Sequence, residues 1–253
     1  MGVHRTVRFE AARRLAGDIV SLVWPRVCAA CGGSCEGQVC EACRAAVSVR
    51  TSDGCCAICG KTILVSDGAA GTAAPACAGC RERRPAFEQA RSAVDYAGPA
   101  RQIVQTLKYR KGRGVAPWMA EWMAGCVVAN WPDEPFDAVV PVPLHPSREA
   151  GRGYNQSALL AAALAKLLSL PCAPRILART RDTGTQTKLD AKARRANMER
   201  AFEVRRGRAD AVRGKSVLLV DDVMTTGATL GAAAAALRAA GAGRTFALSF
   251  ARG

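Results

Sequence analysis

No apolar run in this 253-residue chain approaches the roughly 18 residues needed to span a bilayer, so a membrane-crossing helix is not expected. No long low-complexity tract is present either. With 49% hydrophobic and 23% charged residues, the composition is that of a folded chain with disorder confined to short linkers. An export pattern is also missing: the short apolar stretch Ile19–Trp24 follows Asp18, runs into Pro25 and offers no small-residue cleavage site. Carboxylates are scarce beside cations, 21 Asp and Glu against 36 Lys and Arg, which leaves a net charge of +15. That excess is uneven. Residues 1–80 hold 8 cations against 6 acids, whereas residues 81–253 hold 28 against 15. Such a surface suits a polyanion, either a phosphorylated small molecule or a nucleic acid, although charge excess also serves solubility. Aromatic residues make up only 5% of the chain, so base stacking has few platforms and any nucleic-acid binding should be mainly ionic.

What the chain has in abundance near its start is cysteine. Ten of the twelve lie between residues 28 and 80, as Cys28-x2-Cys31, Cys40-x2-Cys43, Cys56-x2-Cys59 and Cys77-x2-Cys80, with Cys35 and Cys55 left over. Without an export signal a disulfide scaffold is a poor reading. Paired CxxC knuckles are the spacing by which thiolates close tetrahedral zinc sites. Two structural zinc ribbons are expected, a compact C-x2-C-x8-C-x2-C followed by a looser C-x2-C-x17-C-x2-C. Spacing alone leaves an interleaved pairing open, and iron–sulfur ligation draws on the same residues. Gly32, Gly60 and Gly79 adjoin the knuckles, where a left-handed turn is wanted.

Before the cysteines, Phe9, Ala12, Ala16, Ile19, Val20 and Val23 recur at helical spacing, so residues 1–25 read as one amphipathic helix docked on the protein itself or on a membrane surface or partner. After them, the basic stretch Arg81–Phe87 reads as a hinge. Strand Arg91–Tyr96, helix Ala100–Lys111, helix Val115–Asn130 and strand Asp137–Val142 follow. A long polar loop, Pro143–Gln156, then leads to a helix over Ser157–Ser169. Residues 175–215 carry 13 Lys and Arg against 5 Asp and Glu, and Thr180–Asn197 has almost no apolar residue, which reads as a mobile hairpin or lid. The domain division expected is residues 1–25, 26–84 and 85–253.

The most informative stretch is VLLVDDVMTTGATL, Val217–Leu230. Four apolar residues read as a buried parallel strand ending on Asp221 and Asp222, and Thr225–Thr229 turns into an alanine-rich helix. Paired carboxylates, hydroxyls and a helix N-terminus at the carboxyl edge of a sheet make a phosphate cradle. Repeated strand–helix units imply a parallel sheet, so Arg148, Arg152, Asn155 and Gln156 should face the same crevice. For His145, between Pro143 and Pro146, a positional or base-contacting role and an inert one stay equally open.

This run resembles the phosphoribosyl pyrophosphate (PRPP) signature of type I phosphoribosyltransferases. With PVPL…RGYNQ (residues 141–156), the T…Q…L…R…N segment and the N-terminal CxxC pairs in one order, residues 25–252 resemble the ComF family in a double-ribbon version. The resemblance implies an α/β fold: a type I phosphoribosyltransferase-like parallel sheet with an N-terminal double zinc-ribbon module. It implies that Asp221 and Asp222 hold the ribose hydroxyls, that Thr225, Thr226, Gly227, Ala228 and Thr229 wrap the 5′-phosphate, and that Arg148, Arg152, Gly153, Asn155 and Gln156 belong to the pyrophosphate loop. Mg²⁺ would come with PRPP, and structural Zn²⁺ with Cys28, Cys31, Cys40 and Cys43, and with Cys56, Cys59, Cys77 and Cys80. The function implied is a cytoplasmic bacterial DNA-uptake (competence) factor, cytosolic or peripheral at the inner membrane beside the uptake machinery, handling single-stranded DNA. Arg194, Arg195 and Arg200 are the candidate nucleic-acid contacts, with Arg81, Arg83, Arg84, Lys108, Arg110 and Lys111 on the same basic surface. The alternative is a metabolic phosphoribosyltransferase acting on a nucleobase. No general base is evident, so whether the site catalyses transfer is open.

Overall fold

The computed structural model describes residues 27–63, 76–109, 112–181 and 201–253. The N-terminal helix expected over 1–25, most of the expected lid, and Arg110, Lys111, Arg194, Arg195 and Arg200 lie outside the described residues. In chain order the elements are α1 (Glu41–Ala45) and α2 (Ala78–Glu82) in the cysteine-rich part, then β1 (Ala90–Asp95), α3 (Gly98–Tyr109), α4 (Ala116–Asn130) and β2 (Ala138–Pro141). After these come α5 (Pro146–Arg152), α6 (Gln156–Leu167), β3 (Leu177–Arg179), β4 (Phe202–Val204), β5 (Ser216–Met224), α7 (Ala228–Ala239) and β6 (Arg244–Arg252).

Four of the strands make one parallel sheet in the order β1-β6-β5-β2, while β3 and β4 pair antiparallel beside it. Parallel neighbours need helical crossovers, and those helices bury both sheet faces. The alternation along β5 shows it. Leu218 and Val220 join a core with Ile103 and Leu107 of α3, Met119 and Met123 of α4 and Leu160 and Leu164 of α6. Val217 and Leu219 join the opposite core with Phe87, Leu177, Phe202 and Leu230 and Leu237 of α7. A strand buried on both sides must be apolar at every position, which is why Val217–Val220 reads as an unbroken run. Among the described residues no helix is long and apolar enough to cross a membrane.

Three expectations need correction. The strand does not stop at the acids: β5 continues to Met224, because the nine-residue β6 offers ladder partners out to Arg252, with Asp221 opposite Ser249 and Met224 opposite Arg252. The polar loop 143–156 is partly helical. His145 accepts the Ser147 N–H and Pro146 opens α5, which ends at Gly153 with φ +80°, a conformation glycine adopts without strain. Gly32 and Gly60 take the expected left-handed turns, but Gly79 lies inside α2.

The cysteine-rich part is packed on the sheet rather than tethered to it. Phe87, at the end of the basic stretch 81–87, is buried, and the Ala90 N–H donates to Ile58 O at 2.7 Å. Residues 48–50 cover the outer edge of β1: the Arg50 N–H donates to Ala93 O at 3.0 Å, the Asp95 N–H donates to Ser48 O at 2.9 Å, and the Arg50 guanidinium pairs with the Asp95 carboxylate. A strand edge that would otherwise be open is thereby closed.

Candidate functional site

The acid pair lies near the carboxyl end of β5, with Asp221 and Asp222 both buried. Asp221 Oδ1 accepts the Ser157 hydroxyl at 2.8 Å and the Asp222 N–H at 2.9 Å. Asp222 Oδ1 accepts Gln156 Nε2 at 3.5 Å, and Asp222 Oδ2 is ion-paired with Lys108 Nζ at 2.6 Å. Burial, followed by the Asp222 charge, pushes the Asp221 carboxyl up to about 7, against the lowering pull of Ser157 and the Asp222 N–H. Burial works to discharge Lys108, but Asp222 and then Asp221 outweigh it and hold its ammonium above the usual lysine value.

Past the strand, Thr225 and Thr226 are exposed and Gly227 adopts φ +79° at the start of α7. Only glycine takes that conformation freely, and a Cβ there would also lie 2.5 Å from the Met224 methyl. The Thr226 hydroxyl receives the Ala228 N–H at 3.4 Å. No side chain at the cap position closes α7, so beyond Ala228 the first-turn N–H groups and the positive helix end are left to water or an anion.

Gln156 and Ser157, at the start of α6, face the acid pair. Arg152 donates to Gln156 Oε1, so the chain Arg152, Gln156, Asp222, Lys108 is continuous. Its guanidinium also lies 5.4 Å from the centre of the exposed Tyr109 ring. Asn155 caps α6 through the Ser157 N–H at 3.0 Å and donates to Val142 O at 3.0 Å, which locks β2 to α6. Arg148 sits on the exposed face of α5 and Gly153 terminates that helix. His145, bonded at 2.8 Å to the Ser147 hydroxyl, caps α5.

The cysteines converge on two centres. In each of the sets Cys28, Cys31, Cys40, Cys43 and Cys56, Cys59, Cys77, Cys80, all four sulfurs lie within 4.8 Å of one another, so the grouping is sequential. A tetrahedral metal with bonds of about 2.3 Å sets its sulfurs roughly 3.8 Å apart. Cys31 and Cys40 sulfurs are 3.9 Å apart, and Cys59 and Cys77 sulfurs 3.7 Å, so the residues fit zinc. Burial opposes thiolate formation at Cys28 and Cys56, but the backbone N–H groups donated to each sulfur carry both thiols down to about 6. Cys35 and Cys55 stand outside the two sets.

Residues 155–248 match the phosphoribosyl transferase domain model, which spans Asn155, Gln156, the acid pair and the 225–229 turn. DNA utilization protein YhgH of Salmonella typhi is 31% identical over 195 residues, covering 76% of this chain and 80% of that protein. Competence protein F of Haemophilus influenzae is 31% identical over 168 residues, 65% of this chain and 73% of that protein. The chain belongs to the ComF family. Competence protein ComFC of Bacillus subtilis is also similar, at 27% identity over 208 residues, 80% of this chain and 78% of that protein.

Two residues of this ComF-family crevice carry no mark in the sequence. Ser157 reads there as the first helical residue and nothing more, and Lys108 as one of several surface cations. The structure corrects the second: the Lys108 side chain is 21% exposed and ion-paired to Asp222, so it does not belong to the outer basic surface. Its position near the C-terminus of α3, where a cation complements the helix dipole, hides the partner 114 residues away. The basic surface is built otherwise. β3 and β4 form a hairpin in which Arg179 lies 5.4 Å from the Phe202 ring centre, with Arg175, Arg181, Arg205, Arg206 and Arg208 exposed around it.

Proposed function

We propose that this ComF-family protein binds PRPP in the crevice beside Asp221 and Asp222 and acts as a DNA-uptake factor that handles single-stranded DNA on its basic surface. The observation that carries the reading is the buried acid pair followed shortly by an uncapped helix N-terminus at a left-handed glycine. Vicinal ribose hydroxyls are two adjacent O–H donors, and adjacent carboxylates are their acceptors. The 5′-phosphate falls to Thr225, Thr226, Gly227, Ala228 and Thr229, where N–H groups, hydroxyls and the helix dipole act together. Arg148, Arg152, Gly153, Asn155 and Gln156 flank the pyrophosphate, Arg152 and Gln156 directly and Asn155 by fixing the loop.

Mg²⁺ would come with PRPP, and the carboxylate oxygens of Asp221 and Asp222 are suitable neighbours for that hard cation, which would offset pyrophosphate charge. Zn²⁺ belongs to the two cysteine sets, where four thiolates leave no open position and the role is structural. The names of the relatives, DNA utilization protein and competence protein, support the DNA reading. A place in the cytoplasm, peripheral at the inner membrane beside the uptake machinery, is part of the same proposal. The division we propose is a helix over 1–25, the double ribbon over 26–84 and the phosphoribosyltransferase-like domain over 85–253.

A second reading, a metabolic phosphoribosyltransferase, has its own support in the domain match over 155–248. It shares the pocket and differs in needing an acceptor.

Calorimetry of PRPP against the parent protein and the double variant Asp221→Asn, Asp222→Asn tests the pocket. Loss of the charge-assisted acceptors, each worth roughly 1.5 to 3 kcal/mol, should abolish binding while circular dichroism stays unchanged. Equal affinity in the two proteins would remove the assignment. Release of a nucleoside monophosphate in a nucleobase screen with PRPP would favour the enzyme.

A further inference from the structure

Lys108 is the one cation that the described structure places against the acid pair, and it comes from a different element, near the end of α3. We propose that it is a ligand-binding residue that exchanges partners, paired with Asp222 before PRPP binds and with the pyrophosphate afterwards. The proposal rests on the PRPP reading above and assigns a residue outside the turn, the acid pair and the 143–156 loop.

Three features of the geometry carry it. The first is electrostatic. Two adjacent buried carboxylates repel a ligand bearing three phosphate groups, and a lysine beside them offsets that repulsion before any phosphate arrives. The second is the competition for one atom. Asp222 Oδ2 lies 2.6 Å from Lys108 Nζ, while Asp222 Oδ1 already receives Gln156 Nε2. A ribose hydroxyl that bonds Asp222 competes with the ammonium for Oδ2. The third is the freedom of the arm. The ammonium has three donors on a four-carbon stem, so it can turn to a new acceptor without moving α3.

The neighbours say where it turns. Gln156 joins Asp222 to Arg152, so Lys108 and Arg152 stand on either side of one carboxylate–amide bridge. A pyrophosphate held by Arg152 is then within the same small region as the released ammonium. The fork of Arg152 fixes orientation, and Lys108 supplies a mobile point charge.

Ribose 5-phosphate separates this role from simple neutralisation of buried acids. It keeps the diol and the 5′-phosphate but lacks pyrophosphate. Calorimetry of both ligands against the parent, Lys108→Met and Lys108→Arg proteins is the experiment, with thermal melts as the fold control and Lys108→Gln as the second variant if methionine prevents folding. Removing a charge-assisted interaction should weaken PRPP by about ten- to hundredfold in the methionine variant. Ribose 5-phosphate should change by no more than about threefold, since loss of the ammonium frees Asp222 Oδ2 for the diol while it removes an offsetting charge beside the acids, two effects of opposite sign. Lys108→Arg should recover most of the PRPP affinity. Equal weakening of both ligands would overturn the proposal in favour of a structural cation, and unchanged PRPP affinity would overturn it outright. A parent protein that binds ribose 5-phosphate and PRPP keeps the pocket reading whatever the variants do; one that binds neither removes that reading, and this proposal with it.

Discussion

In the first ribbon the Cys40 N–H donates to Cys28 sulfur at 3.3 Å, and in the second the Cys77 N–H donates to Cys56 sulfur at the same distance. Each opening knuckle turns on a left-handed glycine, Gly32 or Gly60, and each closing CxxC starts a five-residue helix. Yet three thiols of the second set are buried and only one of the first. The difference lies in what each ribbon packs against. The first meets the α3–α4 side through Cys28, Val39 and Val47, and Thr106 donates to Ala29 O at 2.7 Å. The second joins the α7 side through Cys56, Cys59 and Cys80, and buried Arg252 donates to Cys59 O at 2.8 Å. The four-cysteine plan is local and repeats, whereas depth is set by the sheet face that each ribbon covers. A longer loop in the second set costs only about 0.6 kcal/mol of extra closure entropy, which is small beside that burial.

The largest expected effect breaks the metal centres one at a time. Cys56→Ser should lower the melting temperature by on the order of 10 °C, because removal of the structural metal uncovers a ribbon that is part of the second core. Cys31→Ser, at an exposed thiol, should release one metal ion and unfold the first ribbon with a shift of less than about 4 °C in the main transition. Elemental analysis beside the melts checks both. Equal shifts would mean that depth does not separate the ribbons, and iron in place of zinc would change the metal assignment.

Next in size are the ties between ribbon and sheet. Arg252→Met leaves Cys59 O without its buried charged donor and should cost about 2 kcal/mol. Thr106→Val removes a half-buried neutral donor from Ala29 O and should cost about 1 kcal/mol or less. Urea midpoints measure the two. The reverse order would put the stronger attachment on the first ribbon.

Much of this is legible in the sequence, for reasons that differ by region. CxxC spacing is a local constraint, so the eight clustered cysteines can be read off the chain, and the apolar run before Asp221 can be read because β5 is covered on both faces. The packing of Cys28 and Cys56 into opposite cores cannot, since a cysteine pattern does not say what lies beneath it. Lys108 and Ser157 are invisible for a related reason: each meets an acid more than 60 residues away, and neither carries a local signature. Helix α5 reads as loop because Pro146 and the glycines around it, Gly151 and Gly153, look like breakers, whereas Pro146 stands at a first-turn position that tolerates proline.

The acid pair extends the comparison to a buried cluster tuned in the opposite sense. Backbone N–H donors pull Cys28 and Cys56 down to about 6, but burial and Asp222 push Asp221 up to about 7 from 3.8. Between those two pH values the folded protein keeps a proton that the unfolded chain has released, so this group's contribution to stability falls as pH rises from about 4 to about 7 and is flat above. Asp221→Asn removes that dependence. Relative to the parent it should gain most at pH 8 and progressively less toward pH 4, as read from denaturation midpoints across the range. A difference that does not vary with pH would return Asp221 to an ordinary carboxylate.

The smallest effect concerns what the ribbons show to solvent. Among described residues 27–50, Arg44 and Arg50 balance Glu36 and Glu41, while in 51–63 and 76–84 Lys61, Arg81, Arg83 and Arg84 exceed Asp53 and Glu82 by two charges. Single-stranded DNA should therefore track the second ribbon toward the β3–β4 hairpin, held by ionic contacts with few aromatic platforms. Charge reversal at Arg81 and Arg84 should weaken binding several-fold and lower the log–log salt slope by roughly 0.7 for each phosphate no longer neutralised. Arg44→Glu in the first ribbon should leave both unchanged. The triple reversal at Arg194, Arg195 and Arg200 tests the stretch beyond Arg181 in the same way. Mobility shifts at two salt concentrations distinguish a path from a diffuse field: if Arg44→Glu weakens DNA binding as much as the Arg81 and Arg84 pair, the charge acts through the protein as a whole and the second ribbon has no special place on the DNA.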